Sequence, residues 1–158
     1  MNFLYSATEK VTLEEYKKFN ICLAKKHFIN YCIFELFFIL MAILLKSTYF
    51  TIVSFAYPVV IIALMLWWIK YSVKKNFESH KSLQGIETIH EFYDTYFISK
   101  SYMGETKIPY DKLYRIIEAK TNFYLMLSKH QGIIIDKNTL PSDFGDFAKE
   151  LIAKYNLK

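Results

Sequence analysis

Apolar residues run almost unbroken through two adjoining stretches and then alternate with polar ones for most of the remaining chain. This change of period divides the molecule. The first stretch, Phe28 to Leu45, reads FINYCIFELFFILMAILL with Glu35 as its only charge. The second, Thr48 to Ile69, reads TYFTIVSFAYPVVIIALMLWWI and carries none. A helix of about 20 mostly apolar residues crosses the hydrocarbon layer of a bilayer. Lipid offers no partner to free backbone groups, so both stretches are expected to cross as helices. Only Lys46 and Ser47 part them, which predicts a tight hairpin. The first stretch starts too late and runs too long for a cleaved leader, and no small-residue cleavage pattern follows it, so it reads as a retained span.

The flanks show other periods. Phe3, Tyr5 and Ala7 alternate, predicting a strand within Met1 to Thr8. Thr12 opens TLEE, with Glu15 placed for a capping box. Leu13, Tyr16, Phe19, Ile21 and Leu23 then fit an amphipathic helix from Thr12 to Lys26 that runs into the first span. Lys74 to Ser82 is polar and reads as a helix end and linker. From Leu83 the period becomes two. Ile86, Thr88, His90 and Phe92 alternate, break at Asp94-Thr95, and resume as Tyr96, Ile98 and Lys100, which predicts a hairpin. Met103-Gly104 marks the next turn, and TKIPY follows with Pro109 fitted only to an edge or strand end. YRIIEAK, NFYLMLSK and GIIIDK give three more strands, punctuated by Asn122 and Gln131-Gly132. Pro141-Ser142-Asp143 opens a last helix, with Phe144, Phe147, Leu151 and Ile152 along one face.

The expected fold is a membrane α-helical hairpin plus an α+β part. That part holds six antiparallel strands, or seven if the first segment pairs, as a curved sheet or small barrel plugged by the C-terminal helix. The expected segments are 1–27 (strand and amphipathic helix), 28–70 (hairpin), 71–82 (juxtamembrane linker) and 83–158 (cytoplasmic sheet domain).

Charge sharpens the picture. The net charge of +5 lies wholly in residues 1–82, where ten Lys face five Glu; residues 83–158 balance ten bases with ten acids. Lys17, Lys18, Lys25 and Lys26 precede the first span, and Lys70, Lys74, Lys75 and Lys81 follow the second. Basic flanks stay inside, so the expected location is the cell membrane, multi-pass, with both termini cytoplasmic. Lys25, Lys26, Trp67, Trp68, Lys70, Tyr71, Lys74 and Lys75 are the expected membrane-interface set, with the lipid bilayer itself as partner. A neutral sheet domain argues against a nucleic-acid partner. Pro58 is expected to kink or loosen the second span.

Little catalytic chemistry is visible. Cys22 and Cys32 would lie about 15 Å apart along one helix and cannot bridge within a chain. The four glycines are scattered, and no zinc, nucleophile-elbow, kinase or phosphate-loop motif occurs. No metal, cofactor or catalytic residue is assigned. His90 reads as packed or surface-facing, His130 as solvated, and Ser128, His130 and Asp136 share one small hairpin without order. Glu35 is the intramembrane polar residue. It marks a proton- or ligand-coupled site or a contact to a partner helix, or else a side chain that is protonated or reaches for the headgroups. Tyr93, Tyr96, Phe97, Tyr102, Tyr110, Tyr114, Phe123 and Tyr124 suit the core of a curved sheet, or a partner-binding face where several are exposed together.

The opening FLYSATEKVTLEEYKKFN, the paired spans, and above all EFYDTYFIS, TKIPYDKLYRIIEAKTNFYLMLSK and GIIIDK resemble the YcxB-like family of small bacterial membrane proteins. The resemblance implies a C-terminal domain similar to bacterial pleckstrin-homology-like (PH-like) domains, and it brings no catalytic residues. The expected function is a non-enzymatic, membrane-anchored interaction or regulatory protein that binds a protein partner or a second copy of itself. Protection (immunity) against a membrane-active toxin or peptide is one setting for it. The alternative is a lipid-headgroup sensor, which would draw on Lys100, Lys107, Lys112, Arg115, Lys120, Lys129 and Lys137.

Overall fold

Period-two burial in the first strand shows how the sheets are built. In β1 (Tyr5–Lys10) the side chains of Ala7 and Glu9 are buried while Thr8 and Lys10 are exposed. A computed structural model describes residues 3–79 and 85–157, apart from the side chains of Lys26 and His27. The linker residues 80–82 and the Lys26 side chain named above therefore lie outside the described residues.

Among the described residues, seven strands form two antiparallel sheets. The first has the order β1-β2-β3-β4, with β2 at Glu87–Phe92, β3 at Tyr96–Ser101 and β4 at Gly104–Pro109. The second has the order β5-β6-β7, with β5 at Arg115–Glu118, β6 at Asn122–Met126 and β7 at Gly132–Asp136. β1 pairs with β2 from Tyr5 opposite Phe92 to Lys10 opposite Glu87, so the opening segment is the seventh strand. The single curved sheet expected from the sequence is instead two. A short 3-10 turn at Tyr110–Lys112, entered through Pro109, separates β4 from β5. Proline has no N–H to extend a ladder, and it stands at the end of an edge strand as expected.

The core lies between these sheets and the final helix, α4 (Phe144–Tyr155). Phe92, Phe97, Phe123, Leu125 and Ile135 meet Phe144, Ala148 and Leu151 there. The i, i+4, i+7 spacing of those helical residues makes one inner face. Asn156 ends α4 in the left-handed conformation, and the N–H of Leu157 returns to the Ile152 carbonyl at 3.0 Å. All five residues of β6 are buried, which explains the apolar run at 123–126: both faces are covered. The second cover is α1 (Leu13–Leu45), whose Phe19 ring packs edge-on against Tyr124 with centroids 5.2 Å apart.

The chain divides into two compact units, Met1–Phe19 with His80–Lys158, and Asn20–Ser79. The first break between these units falls at 19/20, within α1. Phe19 belongs with the sheets because its ring completes the packing over Tyr124. α1 is one continuous helix from Leu13 to Leu45, as the merging of the amphipathic segment with the first apolar stretch predicts.

In the second unit, Lys46 takes a left-handed turn (φ 46°) and α2 runs Thr48–Trp68 with Pro58 inside it. A π-helical stretch, Ile69–Val73, leads to α3 at Lys74–Ser79. The α1–α2 seam is aromatic: Tyr31 meets Tyr57 at 5.5 Å, and Phe38 meets Phe50 and Tyr57 at 6.4 Å.

Candidate functional site

Among the described residues, two helices are long and apolar enough to cross a membrane, Phe28–Leu45 and the helix beginning at Thr48. None of their window residues is buried. Phe55, Leu44 and Ile43 turn outward with 77%, 67% and 66% exposure. Within the helical unit, Glu35 lies on the seam. One carboxylate oxygen, Oε2, accepts a long hydrogen bond of 3.4 Å from the Tyr31 hydroxyl, one helical turn earlier. The other, Oε1, is buried with no hydrogen-bond partner. Tyr31 at i−4 was readable from the helix period; Tyr57, from the facing helix, was not.

The residues expected at a membrane interface fall in order along the chain. Trp67 and Trp68 close α2, and Trp67 stacks on Tyr71 with centroids 5.8 Å apart and planes 12° apart. Lys70 and Tyr71 lie in the π-helical stretch, whose wider turn rotates the faces that follow. Lys74 and Lys75 open α3, where Lys74 pairs with Glu78 at 3.7 Å. Lys25, Lys70, Tyr71, Lys74 and Lys75 are all exposed.

In the sheet unit, buried polar groups tie the opening segment to the second sheet. Glu9, only 4% exposed, accepts the Asp136 N–H at 2.8 Å. Burial raises the Glu9 carboxyl above its usual range, opposed by that hydrogen bond and aided by the charges of Asp136 and Glu15. The hydroxyl of Thr12 caps the Glu15 N–H at 3.2 Å. The reciprocal half of the capping box is replaced, because one oxygen of Glu15 holds Lys18 and the other accepts from the Asn122 amide. Asn122, read as punctuation in the sequence, is therefore a fully buried clamp at the start of β6. A polar residue heading the apolar run NFYLM was the available signal. His90 is packed, with Nδ1 2.8 Å from the Ser99 hydroxyl across the ladder, and burial lowers its pKa to about 4.

The Ser128 hydroxyl accepts the His130 and Gln131 N–H groups of its own turn, and the Asp136 carboxylate caps Asn138. Among the described residues no three His, Cys, Asp or Glu side chains gather as a metal site requires.

One open cleft of about 370 Å³ is lined by Thr95, Tyr96, Lys107, Pro109, Asp111 and Tyr155. It forms where the β2–β3 turn, the end of β4, the 3-10 turn and the last residue of α4 converge. The aromatic residues of the sheet divide accordingly. Phe97, Tyr110, Phe123 and Tyr124 are core, Tyr93 and Tyr96 are half-buried, and Tyr102 is 82% exposed at the β3–β4 turn.

The molecule is thus of the class that joins two exposed apolar helices to a two-sheet unit closed by a helix. Residues 92–151, from the end of β2 to Leu151 on α4, match the family model of YcxB-like proteins. The resemblance read from the sequence holds over that stretch. No curated protein and no solved structure matches the chain.

Proposed function

We propose that this chain is a non-enzymatic, membrane-anchored interaction or regulatory protein. In this reading α1 and α2 cross the cell membrane as a hairpin, both termini are cytoplasmic, and the sheet unit is a PH-like module that holds a protein partner. The observation that carries it is the outward set of apolar side chains on α1 and α2, which water would penalise and lipid would not. The exposed lysines after α2 favour the inner face. The strand order, four then three with a closing helix, agrees with the fold implied by the family resemblance.

A lipid-headgroup role for the sheet unit has less support. Lys100 is held by Glu91 and Lys137 by Glu118, both at 2.7 Å, and Lys107 lies over the Tyr96 ring. Each of these three cations already has a carboxylate or ring partner, which a phosphate would have to displace. The test is a photo-crosslinking residue in place of Tyr102, expressed in the full chain in its native membrane. A discrete protein adduct is expected. Adducts with lipid alone would overturn the interaction reading in favour of the lipid one.

A further inference from the structure

We infer that the free edge of β4 pairs antiparallel with the same strand of a second copy of this chain, with Glu105 of each copy opposite Lys107 of the other. This rests on the interaction reading and gives it a surface and an occupant. The two edges of the first sheet differ. β1 lies against β7, where Glu9 accepts the Asp136 N–H. Among the described residues β4 has β3 on one side and no strand on the other, and all its residues except Ile108 are exposed. An edge of this kind is a template for another strand. The ladder shows which groups it offers. Just beyond β4, the Tyr110 N–H donates to the Thr95 carbonyl at 3.2 Å. Opposed residues in an antiparallel pair alternate between exchanging hydrogen bonds and not. Counting back in register, Ile108, Thr106 and Gly104 bond to β3, while the N–H and C=O groups of Lys107 and Glu105 point outward. Pro109 also falls on the outward side, where its missing N–H costs the β3 ladder nothing.

Two-fold pairing must set outward residues against outward residues, and this restricts the register. Centring on Glu105 opposes the two copies of Glu105. Centring on Lys107 opposes the two lysines and sets Glu105 against Pro109, which cannot donate. Centring on Thr106 does neither. Glu105 and Lys107 then meet their opposites in both directions, each pair exchanging both its N–H···O bonds. Charged edge residues ordinarily repel a second edge. Here the order Glu-Thr-Lys makes the strand complementary to itself in one register. Two copies anchored in one membrane would be held at high effective concentration, so the pairing does not require tight association in solution.

The test uses the full chain in isolated membranes, with Cys22 and Cys32 replaced by serine. In the inferred register the two copies of Thr106 face each other as a non-hydrogen-bonded pair with Cα atoms about 4.5 Å apart, within reach of a disulfide. Thr106→Cys should therefore give a covalent dimer under mild oxidation with copper phenanthroline, at least about fivefold more than Ser142→Cys, an exposed position outside β4. Adding Glu105→Lys or Lys107→Glu should each cut the dimer about fivefold, and the double exchange should restore it. The double exchange does not restore the pairing of position 105 with Lys100 in its own chain, so recovery reports the second copy. Circular dichroism checks that each variant keeps its fold. A dimer no greater than that of Ser142→Cys, a yield that the single exchanges leave unchanged, or a loss that the double exchange fails to restore overturns the pairing. If that happens while the Tyr102 crosslinker yields an adduct with another protein, the interaction reading stands without the β4 edge. If the dimer forms and the exchanges behave as stated while the Tyr102 crosslinker meets lipid alone, the pairing stands and the protein-partner reading falls.

Discussion

The two units of this chain use the same residue types in opposite directions. In the helical unit Phe55 is 77% exposed; in the sheet unit Phe92 and Phe97 are completely buried. Charged residues reverse too. Among the described residues the sheet unit carries the ion pairs Lys18–Glu15, Lys100–Glu91, Lys137–Glu118 and Lys149–Asp146, whereas Glu35 in the helical unit has a long contact from Tyr31. The difference teaches that exposure has meaning only against a solvent. The burial pattern of the sheet unit suits water, and the outward apolar side chains of the helical unit would suit hydrocarbon, as the proposed function requires.

The strongest way to break this contrast is to truncate one phenylalanine in each unit. Phe144→Ala removes a ring that contacts Tyr5, Phe92, Phe123 and Phe147, and should destabilise the sheet unit by about 3–5 kcal/mol in urea unfolding followed by near-ultraviolet circular dichroism. Phe55→Ala should leave that transition in place. Equal losses would mean that the two phenylalanines meet the same surroundings.

Acid sharpens the comparison next. The unfolded chain binds a proton at His90 from about pH 6.5 downward, and the folded chain only near pH 4. The stability tied to neutral His90 is therefore whole above pH 6.5 and is lost as pH falls toward 4, by up to about 3 kcal/mol. Glu9 acts in the opposite sense over the lower part of that range, because its folded carboxyl keeps a proton at higher pH than the unfolded one. A His90→Gln variant should flatten the urea midpoint between pH 6.5 and 4; an unchanged slope would remove His90 as its source.

Smaller effects follow at the tie between the segments. Asn122→Ala leaves the Glu15 carboxylate without its amide donor and should cost about 1–3 kcal/mol in the same unfolding experiment. Lys149→Ala breaks an exposed pair with Asp146 at 2.8 Å and should leave the melting temperature unchanged. A larger loss at Lys149 than at Asn122 would invert the ranking of buried over exposed polar contacts.

What the sequence reveals follows the range of each interaction. The apolar stretches, the alternation from Ile86 to Lys100, the placement of Pro109 at a strand end and the Phe144 face of α4 are local patterns, and the fold keeps them. The partner of β1 is not local: Lys10 and Glu87 pair across the whole helical unit, and period alone cannot say which strand receives it. The division into two sheets turns on three residues, Tyr110–Lys112, inside what reads as continuous strand signal. At the candidate sites, Glu35 announced itself as a lone charge in an apolar run. The Tyr57 ring that closes the seam, the Asn122 clamp and the cleft under Tyr155 arise only when distant segments meet.

The central claim is that the hairpin crosses the bilayer with its turn outside and the sheet unit inside. In a background with Cys22 and Cys32 replaced by serine, a single cysteine is placed at Ser47 in the turn or at Ser142 before α4. Intact cells are then treated with a membrane-impermeant maleimide. Ser47→Cys should label without lysis and Ser142→Cys only after it. Protection of Ser47→Cys in intact cells, or labelling of both positions alike, would contradict the account.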